Sequence, residues 1–199
     1  MSLGASGQLG KALVFFSWKG LNVVRQHIVP TNPNTQPQKD QRAWVTLAVA
    51  NIHDAMAKVV GPLGEIDKIA YATWASIVKA ATTWFNQAVK SQIDQNVAGK
   101  NCFPYRGGVI TPASGQVTVL LYADGIDTGG ITAGKFWYGT SKTALLSSIA
   151  GTIDLVNHTV TKAITGLTNG TKYYFQFRPS EVAVYIGNDS GIYHGTPSA

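Results

Sequence analysis

From Thr35 to Asn96 apolar residues return every three or four positions, and beyond Gly108 that period is gone. This switch constrains the fold more than any other feature, because a 3.6-residue period suits a helix buried along one stripe. Trp44, Leu47, Ala48, Ile52, Met56 and Val59 form the first apolar face. Thr35 and Gln38 stand in capping-box spacing with Pro37 in the first turn, so the helix is expected to start near residue 36 and to end before Gly61-Pro62. A second helix is expected from about Ile66 to Asn96, burying Ile69, Ala70, Thr73, Ile77, Val78, Ala81, Phe85, Ala88, Val89 and Ile93. The pair predicts a helical hairpin whose flank, or an interface, Trp74 and Trp84 are large enough to anchor.

Ahead of the helices, residues 11 to 29 hold two β-branched and aromatic runs joined at Lys19-Gly20. They predict a β-hairpin, with Gly20 supplying the positive φ of a tight turn. The second run alternates Val24, Gln26 and Ile28 against Val23, Arg25, His27 and Val29, whereas Leu13, Val14, Phe15 and Phe16 make the first run apolar on both faces. A lone hairpin is marginal in water, so this one needs cover from a helix, a partner domain or another subunit. Pro30 to Pro37 follows as a stiff elbow, since each proline fixes φ and pushes its predecessor out of the helical region.

Gly99 to Gly108 breaks the helical pattern and reads as a linker or docking loop. Beyond it lie short runs rich in Val, Thr and Tyr: Gln116 to Tyr122, Lys135 to Tyr138, Thr159 to Ile164, Lys172 to Phe177, Val182 to Ile186 and Gly191 to His194. Strands at this spacing predict an antiparallel β-sandwich of about 90 residues, near the size of an immunoglobulin-like unit. The expectation is an α+β chain: residues 1–106 as a β-hairpin and two-helix assembly domain, residues 107–199 as the sandwich.

Only 13% of the residues are charged, about half the usual 25% or so. A free monomer stays soluble through surface charge, so a chain that carries Thr, Ser, Asn, Gln and Gly instead is expected to cover much of its surface with neighbours. Residues 1 to 106 hold eleven Lys and Arg against five Asp and Glu, and residues 107 to 199 hold five against five. The excess is spread singly along the chain, so direct nucleic-acid contact is not expected. The first ten residues lack a basic segment leading into an apolar one, so no secretory signal is expected. Apolar runs stop well short of the roughly 18 residues of a membrane span. Synthesis in the cytoplasm is expected.

Chemistry finds few candidates. His27, His53, His158 and His194 stand alone, without His-Glu-x-x-His or Cys-x-x-Cys spacing, and Cys102 has no partner for a disulfide. Asp124, Asp127, Asp154 and Asp189 suit ordinary Asx turns better than calcium. Gly-x-Ser-x-Gly and a phosphate loop are both missing, and Glu65 and Glu181 are the only glutamates, so paired acid and base work has little to draw on. The chain is expected to be non-enzymatic, without cofactor or metal.

Two stretches carry resemblances. Phe136-Trp137-Tyr138-Gly139-Thr140-Ser141, followed by His158 to Phe177, resembles a fibronectin type III domain: Leu167, Gly170-Thr171 and Tyr173 fall where that family places a leucine, a short turn and the tyrosine before strand F. The resemblance spans about residues 111 to 197 and implies that the Tyr173 hydroxyl ties the corner to nearby backbone. Strand B lacks the core tryptophan, and Trp137 is expected to substitute. The N-terminal half resembles uncharacterised phage structural proteins, through Leu9-Gly10, Val14-Phe-Phe-Ser-Trp-Lys-Gly, Val24-Arg25, Pro30-Thr-Asn-Pro-Asn-Thr, Gln38 to Arg42, Leu63 to Lys68 and Thr83-Trp-Phe-Asn.

That second resemblance implies a structural subunit of a phage virion or similar assembly, of the decoration, tail or fibre type or a free-standing filament. Its partners would be copies of itself or other virion proteins, and its place the virion or an extracellular assembly. Phe15, Phe16, Trp18, Arg25 and Trp84 are the residues expected at the assembly interface. The alternatives are an adhesin-like module whose sandwich holds a carbohydrate or a protein, and an enzyme accessory domain.

Overall fold

A computed structural model describes residues 6–10, 12–29, 34–79, 83–124, 131–180 and 188–198. The chain divides into two compact units, Met1–Gln38 and Lys39–Ala199.

The first unit is a three-stranded antiparallel sheet in the order β1-β2-β3, made of β1 (Gly7–Leu9), β2 (Leu13–Trp18) and β3 (Leu21–Gln26). Lys19 and Gly20 both take positive φ, +50° and +80°, which is the two-residue turn whose twist matches a hairpin. The expected hairpin is therefore present, and β1 adds a strand that was not expected. Three residues are too few to show alternation, so nothing local marks β1. Of the elbow, residues 30–33 lie outside the described residues.

The helix α1 (Gln36–Ala57), all but its first three residues in the second unit, starts at the expected place and buries Ala48, Ile52 and Ala55. Leu47, Met56 and Val59 of the expected apolar face stay exposed. The single second helix is corrected to two, α2 (Glu65–Val78) and α3 (Trp84–Val97). Lys79 caps α2 in the left-handed conformation, φ +58°, and the Thr83 hydroxyl caps α3 by accepting the Asn86 N–H at 3.2 Å. The apolar period runs through this break because both helices face one cluster, formed by Ile52, Ala55, Leu63, Tyr71 and Ala88.

Two four-stranded antiparallel sheets follow. One has the order β4-β5-β9-β8, from β4 (Tyr105–Ala113), β5 (Gln116–Ala123), β8 (Thr152–Asp154) and β9 (Thr159–Thr165). The other has the order β11-β10-β6-β7, from β6 (Gly134–Gly139), β7 (Ser147–Ala150), β10 (Tyr173–Pro179) and β11 (Tyr193–Gly195). Their inner residues share one core: Val117, Val119 and Leu121 of β5 with Val160 and Ile164 of β9 meet Phe136, Phe175 and Phe177. The chain is thus α+β: a small antiparallel sheet, then helices, then two larger antiparallel sheets. The expected strand over Val182 to Ile186 lies outside the described residues.

Two details differ from expectation. Phe136, wholly buried, takes the core place expected for Trp137, because alternation along β6 turns Trp137 the other way, under Arg178 with the guanidinium carbon 5.1 Å from its ring centroid. Residues 99–108 are also no free linker. Cys102, Tyr105 and Arg106 are buried, β4 begins at Tyr105, and α2 packs on β4 and β11. The compact units thus divide at Gln38, whereas the boundary expected after residue 106 falls within β4.

Candidate functional site

The expected interface residues fall in both units. Across the β2–β3 ladder Val14 faces Arg25, Phe16 faces Val23 and Trp18 faces Leu21, so these side chains share one face of the sheet. Phe15 lies on the opposite face, opposite Val24. Phe16 carries the Arg25 guanidinium over its ring, 5.3 Å from the centroid. Trp18 and Leu21, the pair that closes the turn, are 60% and 69% exposed, and Leu9, Val24, Ile28 and Val29 are at least half exposed. A depression lined by Val14, Arg25, Gln26, His27 and Ile28 adds about 480 Å³. Among the described residues β3 pairs only with β2, so one side of its backbone is unpaired by any strand. This unit contains Lys11, Lys19 and Arg25 and no acidic residue.

Trp84 lies in the second unit, half-buried at the start of α3. Its ring stands edge-on to Phe85 at 5.4 Å, with the Lys68 ammonium 5.8 Å from its centroid. The structure therefore groups Phe16, Trp18 and Arg25 on one face and places Trp84 against the helical core.

Two polar centres that the sequence reading passed over hold the helices against the sheets. Asp67, 1% exposed, accepts hydrogen bonds from the Gly64 N–H at 2.9 Å, the Gly108 N–H at 3.0 Å and the Tyr193 hydroxyl at 2.7 Å. Burial pushes its carboxyl above the usual range, against the opposing pull of these bonds. Burial and the neighbouring Asp67 charge push the Tyr193 phenol far above its own. Arg106, read from sequence as one of a scatter of single charges, is buried. It gives Nη1 to the carbonyls of Val60 and Gly61 at 2.6 and 2.7 Å, and pairs with Asp124 through Nη2 at 2.5 Å. Its guanidinium also lies over Tyr122, 5.4 Å from the ring centroid. The one local signal near both centres is Gly107-Gly108. A Cβ at Gly108 would meet the Tyr193 ring at 2.4 Å, and one at Gly107 would meet Gly61 Cα at 2.6 Å.

The remaining chemical candidates lie apart. Burial raises the Cys102 thiol well above its usual value, which suppresses the thiolate that a nucleophile needs. Burial and the Lys172 charge lower His194. Asp154 forms the expected Asx turn, accepting from the N–H groups of Val156 and Asn157 at 2.8 and 3.0 Å. Asp127 lies outside the described residues. Among the described residues no three of His, Cys, Asp and Glu gather in a way that could hold a metal. Among the same residues no helix is long and apolar enough to cross a membrane. Compared with models of known protein families the chain matches none, and no curated protein matches it.

Proposed function

We propose that this chain is a non-enzymatic structural subunit of a phage virion or a similar multi-subunit assembly, of the decoration, tail or fibre type. It works through contacts with copies of itself and with other virion proteins. The observation that carries this reading is the small sheet of residues 7–26, which exposes Trp18, Leu21, Leu9 and Val24 and leaves one β3 edge unpaired by any strand among the described residues. Exposed apolar sheet with an open edge is a template for another chain. The low charge of the whole sequence points the same way.

The sheets are read as a fibronectin type III or immunoglobulin-like sandwich. Lettering β4 to β11 as A, B, C, C′, D, E, F and G gives sheets ABED and GFCC′, the immunoglobulin-like arrangement. The Tyr173 hydroxyl accepts the Thr168 N–H at 3.2 Å, the corner bond that the resemblance implies. Such a sandwich is a spacer or display unit and says little by itself about function.

The test is negative-stain microscopy with light scattering on the same preparation, for the wild type and Trp18→Glu. Rings, tubes, filaments or defined oligomers that Trp18→Glu reduces to monomers support the reading. A monomeric wild type removes self-assembly from it, and oligomers indifferent to Trp18→Glu remove the hairpin.

A further inference from the structure

Two neighbouring hollows in the second unit make one groove along α2. The first, of about 240 Å³, lies between α2 and the strands β4 and β11, with Ile66, Ile69, Ile110, Ile192 and Tyr193 in its wall. The second, of about 370 Å³, is lined by Ser76, Lys142, Lys172 and Tyr174 among others, and Ile69 and His194 stand in the walls of both. Ile66 and Ile69 are 49% and 53% exposed, and Lys142, Lys172 and His194 are exposed too, so a ligand in the groove touches these side chains directly. None of the residues proposed for assembly takes part.

The first hollow suits carbon. The Tyr193 hydroxyl is turned away to Asp67 at 2.7 Å, and the Ile192 N–H is held by the Ala70 carbonyl at 3.0 Å. Apart from His194, the side chains of this wall are hydrocarbon and one aromatic face. An alkyl chain takes the isoleucines out of water and brings no polar group of its own, whereas a peptide would bring amides that these side chains cannot satisfy. The volume lies just below the roughly 300–1,000 Å³ of sites for drug-sized ligands, which favours one short chain.

The second hollow supplies charge. The Lys172 ammonium lies 5.4 Å from the Tyr174 ring centroid, and His194, opposite Tyr174 in the ladder, stands edge-on to the same ring at 6.2 Å. Lys142 reaches α2 from beyond β6 and donates to Ser76 Oγ at 3.0 Å, while the Ser76 hydroxyl donates to the Thr73 carbonyl at 2.7 Å. Among the described residues neither lysine has a carboxylate partner, and no carboxylate lines either hollow. Burial and the Lys172 charge hold His194 below its usual value, so at neutral pH the two lysines carry the charge at this end. Ser76 stands in the last turn of α2, where the helix dipole disfavours a doubly charged head, and a carboxylate suits the place better than a phosphate.

We infer that this groove binds a free medium-chain fatty acid, its alkyl chain against the isoleucines and its carboxylate on Lys142 and Lys172. The test follows the isoleucine methyl resonances of the full chain by NMR as hexanoate, octanoate and decanoate are added below their micelle-forming concentrations, with octanol and octylamine as uncharged and cationic counterparts. Shifts at Ile66, Ile69 and Ile192 are expected, with affinity rising about twofold to fourfold per methylene until the hollow is full. Octanol should bind about fivefold more weakly than octanoate, and octylamine more weakly still. Lys142→Met with Lys172→Met, both at exposed positions, should bring octanoate to the level of octanol and leave octanol unchanged, and high salt should narrow the same gap in the wild type. Ile69→Asp, also exposed, should cost octanoate and octanol alike more than about tenfold with the circular dichroism unchanged. No methyl shift with any of the carboxylates, octylamine binding as tightly as octanoate, or octanoate affinity unchanged in the double lysine variant overturns the inference.

Discussion

Replacing Asp67 by alanine should destabilise the second unit by an amount the geometry sets. The carboxylate accepts three hydrogen bonds, and two of the donors, the Gly108 N–H and the Tyr193 hydroxyl, are buried. Each buried donor left without an acceptor costs about 1–3 kcal/mol. Loss of the bond to Gly64 at the start of α2 adds about 1 kcal/mol, the usual value of a cap. Removing a carboxylate that burial disfavours returns part of this. The expected net loss is about 3–5 kcal/mol, a large share of the roughly 5–15 kcal/mol that holds a domain together. Tyr193→Phe deletes one donor and leaves the carboxylate two, so it should cost about 1–2 kcal/mol. Because the two residues share a bond, the double variant should lose less than the sum of the single losses, by about 1 kcal/mol. Urea unfolding followed by tryptophan fluorescence gives all three values. A loss under about 1 kcal/mol for Asp67→Ala, or strict additivity in the double variant, would refute the view that this carboxylate joins helix to sheet.

The same residue predicts a pH effect. Since the folded-state value of Asp67 is raised, the folded chain binds this proton more readily than the unfolded one. Stability relative to Asp67→Asn should therefore rise as pH falls from neutral towards 3.8, the ordinary value of the group, in titrated urea midpoints. Arg106→Met leaves two carbonyls and Asp124 without their donor and should cost about 3 kcal/mol in the same assay; Lys at this position should recover only part, lacking the fork that reaches all three. Gly108→Ala drives a methyl group into Tyr193 and Asp67 and should lower the calorimetric melting temperature sharply, whereas Gly166→Ala, with nothing within 4 Å, pays only for its positive φ. Tyr173→Phe should cost about 1 kcal/mol and speed exchange of the Thr168 amide, which donates to the lost hydroxyl.

Local order determined the parts of this protein that are legible in its sequence. The Lys19-Gly20 turn, the start of α1 and the strand at β5 each depend on neighbours a few residues apart, and period and turn chemistry reveal them, whereas the Tyr173 corner was legible only through a resemblance of motif. The break between α2 and α3 escaped because the residues on either side face one cluster and keep one period through it. Tertiary structure alone decided the rest. Asp67 meets Tyr193 from 126 positions away, Arg106 reaches back to Val60, and Asn188 joins Ser91 across 97 positions. A polar contact of that range leaves no period behind. Asp67 and Arg106 look like ordinary charged residues until the helices close over the sheets, remove water and leave each group only the partners that the fold supplies.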